Sequence, residues 1–188
     1  MDNKTAESKQ GNLSALTSTQ LLREKARQFV EEGAVTQGYG ANKEEVITLL
    51  NEALATELVC VLRYRRHYHM AKGINSESVK AEFLEHAIQE MEHADSIAKR
   101  ITELGGEPDF SPIGLSDRSH AQYAPGDGLA SMIKEDLIAE RIAIESYREF
   151  IVYLGSNDPT TQKMLKEILS VEEEHADEMS SLLEGIKN

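Results

Sequence analysis

Glu90-Met91-Glu92-His93-Ala94-Asp95 and Glu172-Glu173-Glu174-His175-Ala176-Asp177 are two copies of one pattern, Glu-x-x-His-Ala-Asp. Residues three apart share a face of an α-helix, so each copy presents a carboxylate and an imidazole side by side. Each copy also has a counterpart upstream. Glu57 lies 33 residues before Glu90, and Glu140 lies 32 before Glu172. A tyrosine follows each lone glutamate by seven residues, at Tyr64 and Tyr147. The chain reads as two helix pairs, each bringing one Glu and one Glu-x-x-His.

All of these residues lie in apolar stripes. The first stripe is Leu50, Leu54, Val61, Tyr64 and Tyr68, and Glu57 fills its central slot. The third is Ile133, Leu137, Ile144, Tyr147, Ile151 and Leu154, with Glu140 in the slot. Phe83, Ala94, Ile97, Ile101 and Leu104 flank Glu90; Leu165, Leu169, Ala176, Met179 and Leu183 flank Glu172. Steps of three and four bury one face of a helix. All four faces that should build the core therefore carry a carboxylate near the middle.

Glycine and proline separate the stripes. Gly73 is the only breaker between Ala41 and Leu104, and Leu129–Leu154 and Thr160–Glu184 contain none. This predicts helices over 42–72, 76–104, 128–154 and 159–185, with Asn42, Ser76 and the Asn157-Asp158-Pro159 step as N-terminal caps. Gly105–Gly128 holds three of the four prolines and forms one long crossover between helices two and three. The expected fold is all-α: an antiparallel four-helix bundle over 41–188, preceded by an arm over 1–40. The first twelve arm residues are polar and read as disordered, and Ser18–Glu32 reads as one short helix.

Composition narrows the function. Asp and Glu total 33 against 20 Lys and Arg, a formal net charge of −13. Such a surface repels phosphate backbones and anionic membranes and attracts cations. The arm does not offset this for DNA, because its five basic and five acidic residues cancel. Cys60 is the single cysteine, which excludes an intrachain disulfide and fits a reducing cytoplasm. No run of about 18 apolar residues exists to span a membrane, and the start, Met1-Asp2-Asn3-Lys4-Thr5, has no signal-like apolar segment.

A carboxylate in an apolar core costs several kcal/mol unless it is paired or bound to a cation. Four pointing inward also repel one another, and no Lys or Arg occupies the stripes at those levels. A multivalent metal resolves both costs. Four carboxylates and two imidazoles suffice for two ions. Hard oxygens with one imidazole per metal suit iron or manganese better than zinc. One Glu-x-x-His in so acidic a chain arises by chance, and Glu92, Glu173 and Glu174 read as solvated surface. Two copies in matching register do not.

From Asn51 to Asp95 and from Leu129 to Leu183 the sequence resembles bacterioferritin and, more broadly, the ferritin-like di-iron carboxylate proteins. The resemblance implies Glu57, Glu90, His93, Glu140, Glu172 and His175 as ligands of a dinuclear iron site, Glu90 and Glu172 varying between bridging and terminal roles. It implies a ferroxidase: Fe(II) is oxidised by O2 or H2O2 and stored or detoxified inside a homo-oligomeric shell built from dimers. Tyr64 matches a tyrosine kept near that site. Met91 matches the methionine that holds haem b between two bacterioferritin chains, although its bland reading is a packed or partly exposed side chain. The arm and the longer crossover depart from that family, and the sequence runs only 13 residues past His175, too few for the short fifth helix of 24-subunit ferritins. The oligomer is left open between a dimer, a Dps-like dodecamer and a 24-mer. A di-iron peroxidase, a manganese catalase and a Dps-like protective shell stay as alternatives on the same bundle.

Other residues carry weaker signals. His86, one turn before Glu90, reads as a core or surface histidine or an accessory to the site. His67 and His69 beside Arg65 and Arg66 read as surface, and His120 as uninformative. Asp95 and Asp177 are candidates to orient the two imidazoles.

Overall fold

The computed structural model describes residues 16–73 and 76–187. The chain divides into two compact units, Met1–Gly38 and Tyr39–Asn188. In the first, Ser18 caps helix α1 (Thr19–Lys25) and a 3-10 turn follows at Val30–Glu32, two short pieces where the sequence suggested one helix. The polar first twelve residues, read as disordered, lie outside the described residues.

The second unit is built from α2 (Lys43–Met70), α3 (Ser76–Glu103), a one-turn α4 (Leu115–Arg118), α5 (Leu129–Leu154) and α6 (Pro159–Lys187). The long helices fall within two residues of the expected bounds because their ends are chemically marked. Asn42 accepts from the Glu45 amide, and Asp158 accepts from the Thr161 amide at 2.9 Å. At the end of α3, Gly105 takes φ +79° while the Gly106 amide bonds back to Ile101 at 2.9 Å, satisfying carbonyls the helix would leave open.

α2 pairs along α3 and α5 along α6, and the two hairpins meet through α2 with α5 and α3 with α6. Tyr64, Phe83, Ile133 and Met179, one from each long helix, close one end of the core. Burying each such side chain contributes about 2 kcal/mol. No helix among the described residues is long and apolar enough to cross a membrane.

The crossover is held to α2 by polar contacts. Asn51 accepts from the Asp109 amide at 2.8 Å, and Thr56 pairs with His120 at 3.0 Å. The Arg63 guanidinium donates to the Gln122 carbonyl at 2.9 Å and to Asp136 of α5 at 3.2 Å. His67 completes this buried knot. Its Nδ1 lies 2.7 Å from Asp136, and its Nε2 lies 3.1 Å from the Ala124 and Pro125 carbonyls. The surface reading of His67 is thus corrected, while His69 is exposed. The neighbouring arginines suggested solvent, but His67 follows Arg63 by one turn and Tyr64 by three residues, so it turns inward with them.

Candidate metal centre

Glu57, Glu90, Glu140, Glu172, His93 and His175 are all buried at mid-bundle. Register explains why. α2 and α5 run antiparallel, so two turns beyond Glu57 the chain reaches the level of Glu140, and two turns beyond Glu140 that of Glu57. Tyr64 accordingly donates a short hydrogen bond to Glu140, and Tyr147 donates one to Glu57. The seven-residue spacing thus gives each lone glutamate a tyrosine from the opposite helix.

The six side chains form two groups whose ligand atoms lie within 4.8 Å of one another: Glu57, Glu90, His93 and Glu172, and Glu90, Glu140, Glu172 and His175. Glu90 and Glu172 belong to both. In the second group, His175 Nδ1 stands 3.6 Å from Glu90 Oε1, 3.9 Å from Glu140 Oε2 and 3.7 Å from Glu172 Oε2. All four of these atoms are buried without a hydrogen-bond partner. An unsatisfied buried polar atom costs about 1–3 kcal/mol, more if charged. Four such atoms gathered around one point fit a shared cation. In the first group His93 Nδ1 lies 2.9 Å from Glu172 Oε1 and 3.3 Å from Glu57 Oε2.

The tautomer of His175 follows from Gln89, whose carbonyl oxygen sits 2.7 Å from Nε2. That oxygen only accepts, so Nε2 carries the proton and Nδ1 turns its lone pair toward the carboxylates. Asp177, the residue expected in this role, is exposed, as is Asp95. The signal for Gln89 was its place immediately before Glu90, on the side facing α6. His86 is buried; its ring stacks on that of His175 with centroids 3.9 Å apart. Met91 points away from the site and is 38% exposed.

The charges are frustrated without a cation. Burial first, then Glu172 and Glu57, push the Glu90 carboxyl well above the usual carboxylate range. Burial and Glu172 do the same to Glu140. Glu172 is raised by burial and by Glu57. Burial also opposes the charged form of His93, but bonds to Glu172 and Glu57 outweigh it and push the imidazole up to about 10. For Glu57, too, burial is outweighed: contacts from Glu90 and His93 bring its carboxyl below the usual value.

These directions fix a pH dependence. A carboxyl raised above its unfolded value near 4.5 stabilises the fold fully below that pH and loses its contribution as pH climbs through the raised value. The His93 contribution has the same sign, intact below 6.5 and lost as pH rises through about 10. The Glu57 contribution is the reverse, present above 4.5 and lost in acid. A bound cation requires ionised carboxylates and neutral imidazoles. The rise in melting temperature caused by Mn(II) should therefore grow between about pH 5.5 and 7.5. Thermal melts with and without Mn(II) across that range check it, and a rise that shrinks with pH contradicts it.

A four-helix bundle with a buried, two-group carboxylate–histidine centre defines the class. Comparison with known proteins agrees. The Ferritin-like domain family model matches residues 47–188. Bacterioferritin of Desulfovibrio desulfuricans is 29% identical over 147 residues, covering 78% of each chain. The DNA protection during starvation protein of Pyrococcus furiosus is 29% identical over 149 residues, covering 78% of this chain and 80% of that one. A dodecameric thioferritin, the bacterioferritin-related protein of Bacteroides fragilis, superposes with a TM-score of 0.76 at 31% identity, covering 79% of this chain and 89% of its own. This chain belongs to the ferritin-like family.

Proposed function

We propose that this protein is a ferroxidase that oxidises Fe(II) at a dinuclear site within each chain, for iron storage or detoxification. The observation that carries the reading is the cluster of buried, unpartnered acceptors on Glu90, Glu140, Glu172 and His175. Fe(II) is the substrate. Two Fe(II) give up one electron each, and H2O2 accepting both splits into two hydroxide ions, leaving two Fe(III). With O2 as oxidant, one pair supplies two electrons and two protons give H2O2, which a second pair reduces further, so two pairs react per O2 taken to water.

The residues divide this work. Glu57 and His93 would hold one ion, Glu140 and His175 the other, and Glu90 and Glu172, which belong to both groups, would join them. Tyr64 and Tyr147 fix the carboxylates they touch, and Gln89 holds the His175 lone pair inward. Binding displaces the proton of His93 and those of the raised carboxyls, so the site gains charge compensation as Fe(II) arrives. The apolar layer of Tyr64, Phe83, Ile133 and Met179 shields one end from bulk water.

Storage needs a container. Leu62 on α2 and Ile88 and Met91 on α3 are exposed apolar side chains suited to contact with a second copy, which supports a homo-oligomer. The test is light scattering after size exclusion, on protein loaded with increasing Fe(II) in air. A large assembly holding hundreds of irons supports storage. A dimer saturating at two per chain refutes storage and favours the peroxidase or catalase alternative.

Haem b rests on Met91 alone, whose exposed thioether can reach a haem only from the outer surface, between copies. Protein supplied with haem should show a Soret band at about one haem per two chains, and Met91→Leu should remove it while Fe(II) oxidation continues. Absence of a Soret band after desalting refutes haem binding.

A further inference from the structure

The geometry points to a third divalent-cation site, formed by Glu82 and His86 of α3 with Glu178 of α6, at the solvent edge of the dinuclear centre. The ligand atoms of these three residues lie within 4.8 Å of one another. Glu82 and His86 stand one turn apart on α3, so both face α6. His86 is buried, whereas the Glu178 side chain is 42% exposed, so the cluster reaches from the core to water.

The hydrogen-bond chain shows why a cation belongs there. The single hydroxyl proton of Tyr64 goes to Glu140. The Tyr64 oxygen is then the acceptor for His86 Nδ1, 3.1 Å away, which must carry the imidazole proton. In that tautomer Nε2 is bare, and it faces Glu178 Oε2 at 2.7 Å. Two lone pairs at that distance need a positive charge beside both: a proton supplies it as a His86–Glu178 pair, and a divalent cation supplies it while also compensating Glu82. Glu82 adds a third donor and a second negative charge. One imidazole nitrogen and two carboxylates suit a first-row divalent cation. The His86 ring stacks on His175, so this ion would stand one side chain away from the inner pair.

The inference rests on the di-iron reading for the identity of its cation, Fe(II), and not for its geometry. The test uses Co(II) as the probe, with diffraction at the cobalt edge from soaked crystals of wild type and of the double variant Glu82→Gln, Glu178→Gln. Both substitutions are isosteric at partly exposed positions, so the fold is kept. Wild type should show three anomalous peaks per chain, two among the six inner residues and one between Glu82, His86 and Glu178. The variant should keep the inner two and lose the third. Two inner peaks without the outer one in wild type overturn the third site and leave the dinuclear reading standing. An outer peak that survives in the variant overturns the ligand assignment. An outer peak with no inner pair supports the third site and overturns the dinuclear reading.

Discussion

Replacing Glu140 by alanine is expected to abolish paired metal binding and slow Fe(II) oxidation by at least about 100-fold, since even residues that merely orient ligands cost 10–100-fold. In the metal-free protein the same change sets opposed effects against each other. Tyr64 loses its acceptor, a cost of about 1–3 kcal/mol for a buried hydroxyl, and a cavity opens. Against this, the repulsion between Glu140 and Glu172 disappears. The metal-free melting temperature should move little, while the increase on adding Fe(II) without oxygen should collapse. Melting curves of both proteins, with and without the metal, measure it. Equal metal-induced increases would show that Glu140 is not a ligand.

The second large effect is on folding. Asp136→Ala should destabilise the protein by about 3–5 kcal/mol, because it leaves the buried Arg63 guanidinium without its counter-charge. It also releases His67, which holds the crossover through the Ala124 and Pro125 carbonyls. Urea unfolding gives the number, and a loss under about 1 kcal/mol would mean that Arg63 finds water instead. Limited proteolysis should then cut within Gly105–Gly128 first, since Arg63 and His67 both bind carbonyls there.

The contrast between Glu140 and Asp136 explains what the sequence made legible. Glu57, Glu90, Glu140 and Glu172 interrupt apolar stripes, and a carboxylate at a core position is costly enough to announce a cation. The bundle was legible for a related reason: breakers fall only between the stripes, and Asn42 and Asp158 mark where helices begin. Asp136 occupies the same face as Glu140, one turn earlier, so its burial could have been read. Its partners could not, because Arg63 and His67 of α2 meet it only once α2 packs against α5. Gln89 was hidden similarly. Its value lies in the distance to His175 across two helices, whereas Asp177, nearer in sequence, turns to solvent. His86 carried a local sign, one turn before Glu90, but its tautomer depends on Tyr64 from another helix.

The number of Fe(II) ions oxidised per chain in the first rapid phase separates a dinuclear centre from a mononuclear one. Metal-free protein is mixed with increasing Fe(II) and excess H2O2 in a stopped-flow instrument, and the amplitude of the fast absorbance change is recorded. Six donors shared as two groups through Glu90 and Glu172 predict an amplitude that rises linearly and breaks at two Fe(II) per chain. A break at one Fe(II) per chain, or the same amplitude in Glu140→Ala, would contradict a dinuclear centre built from these residues.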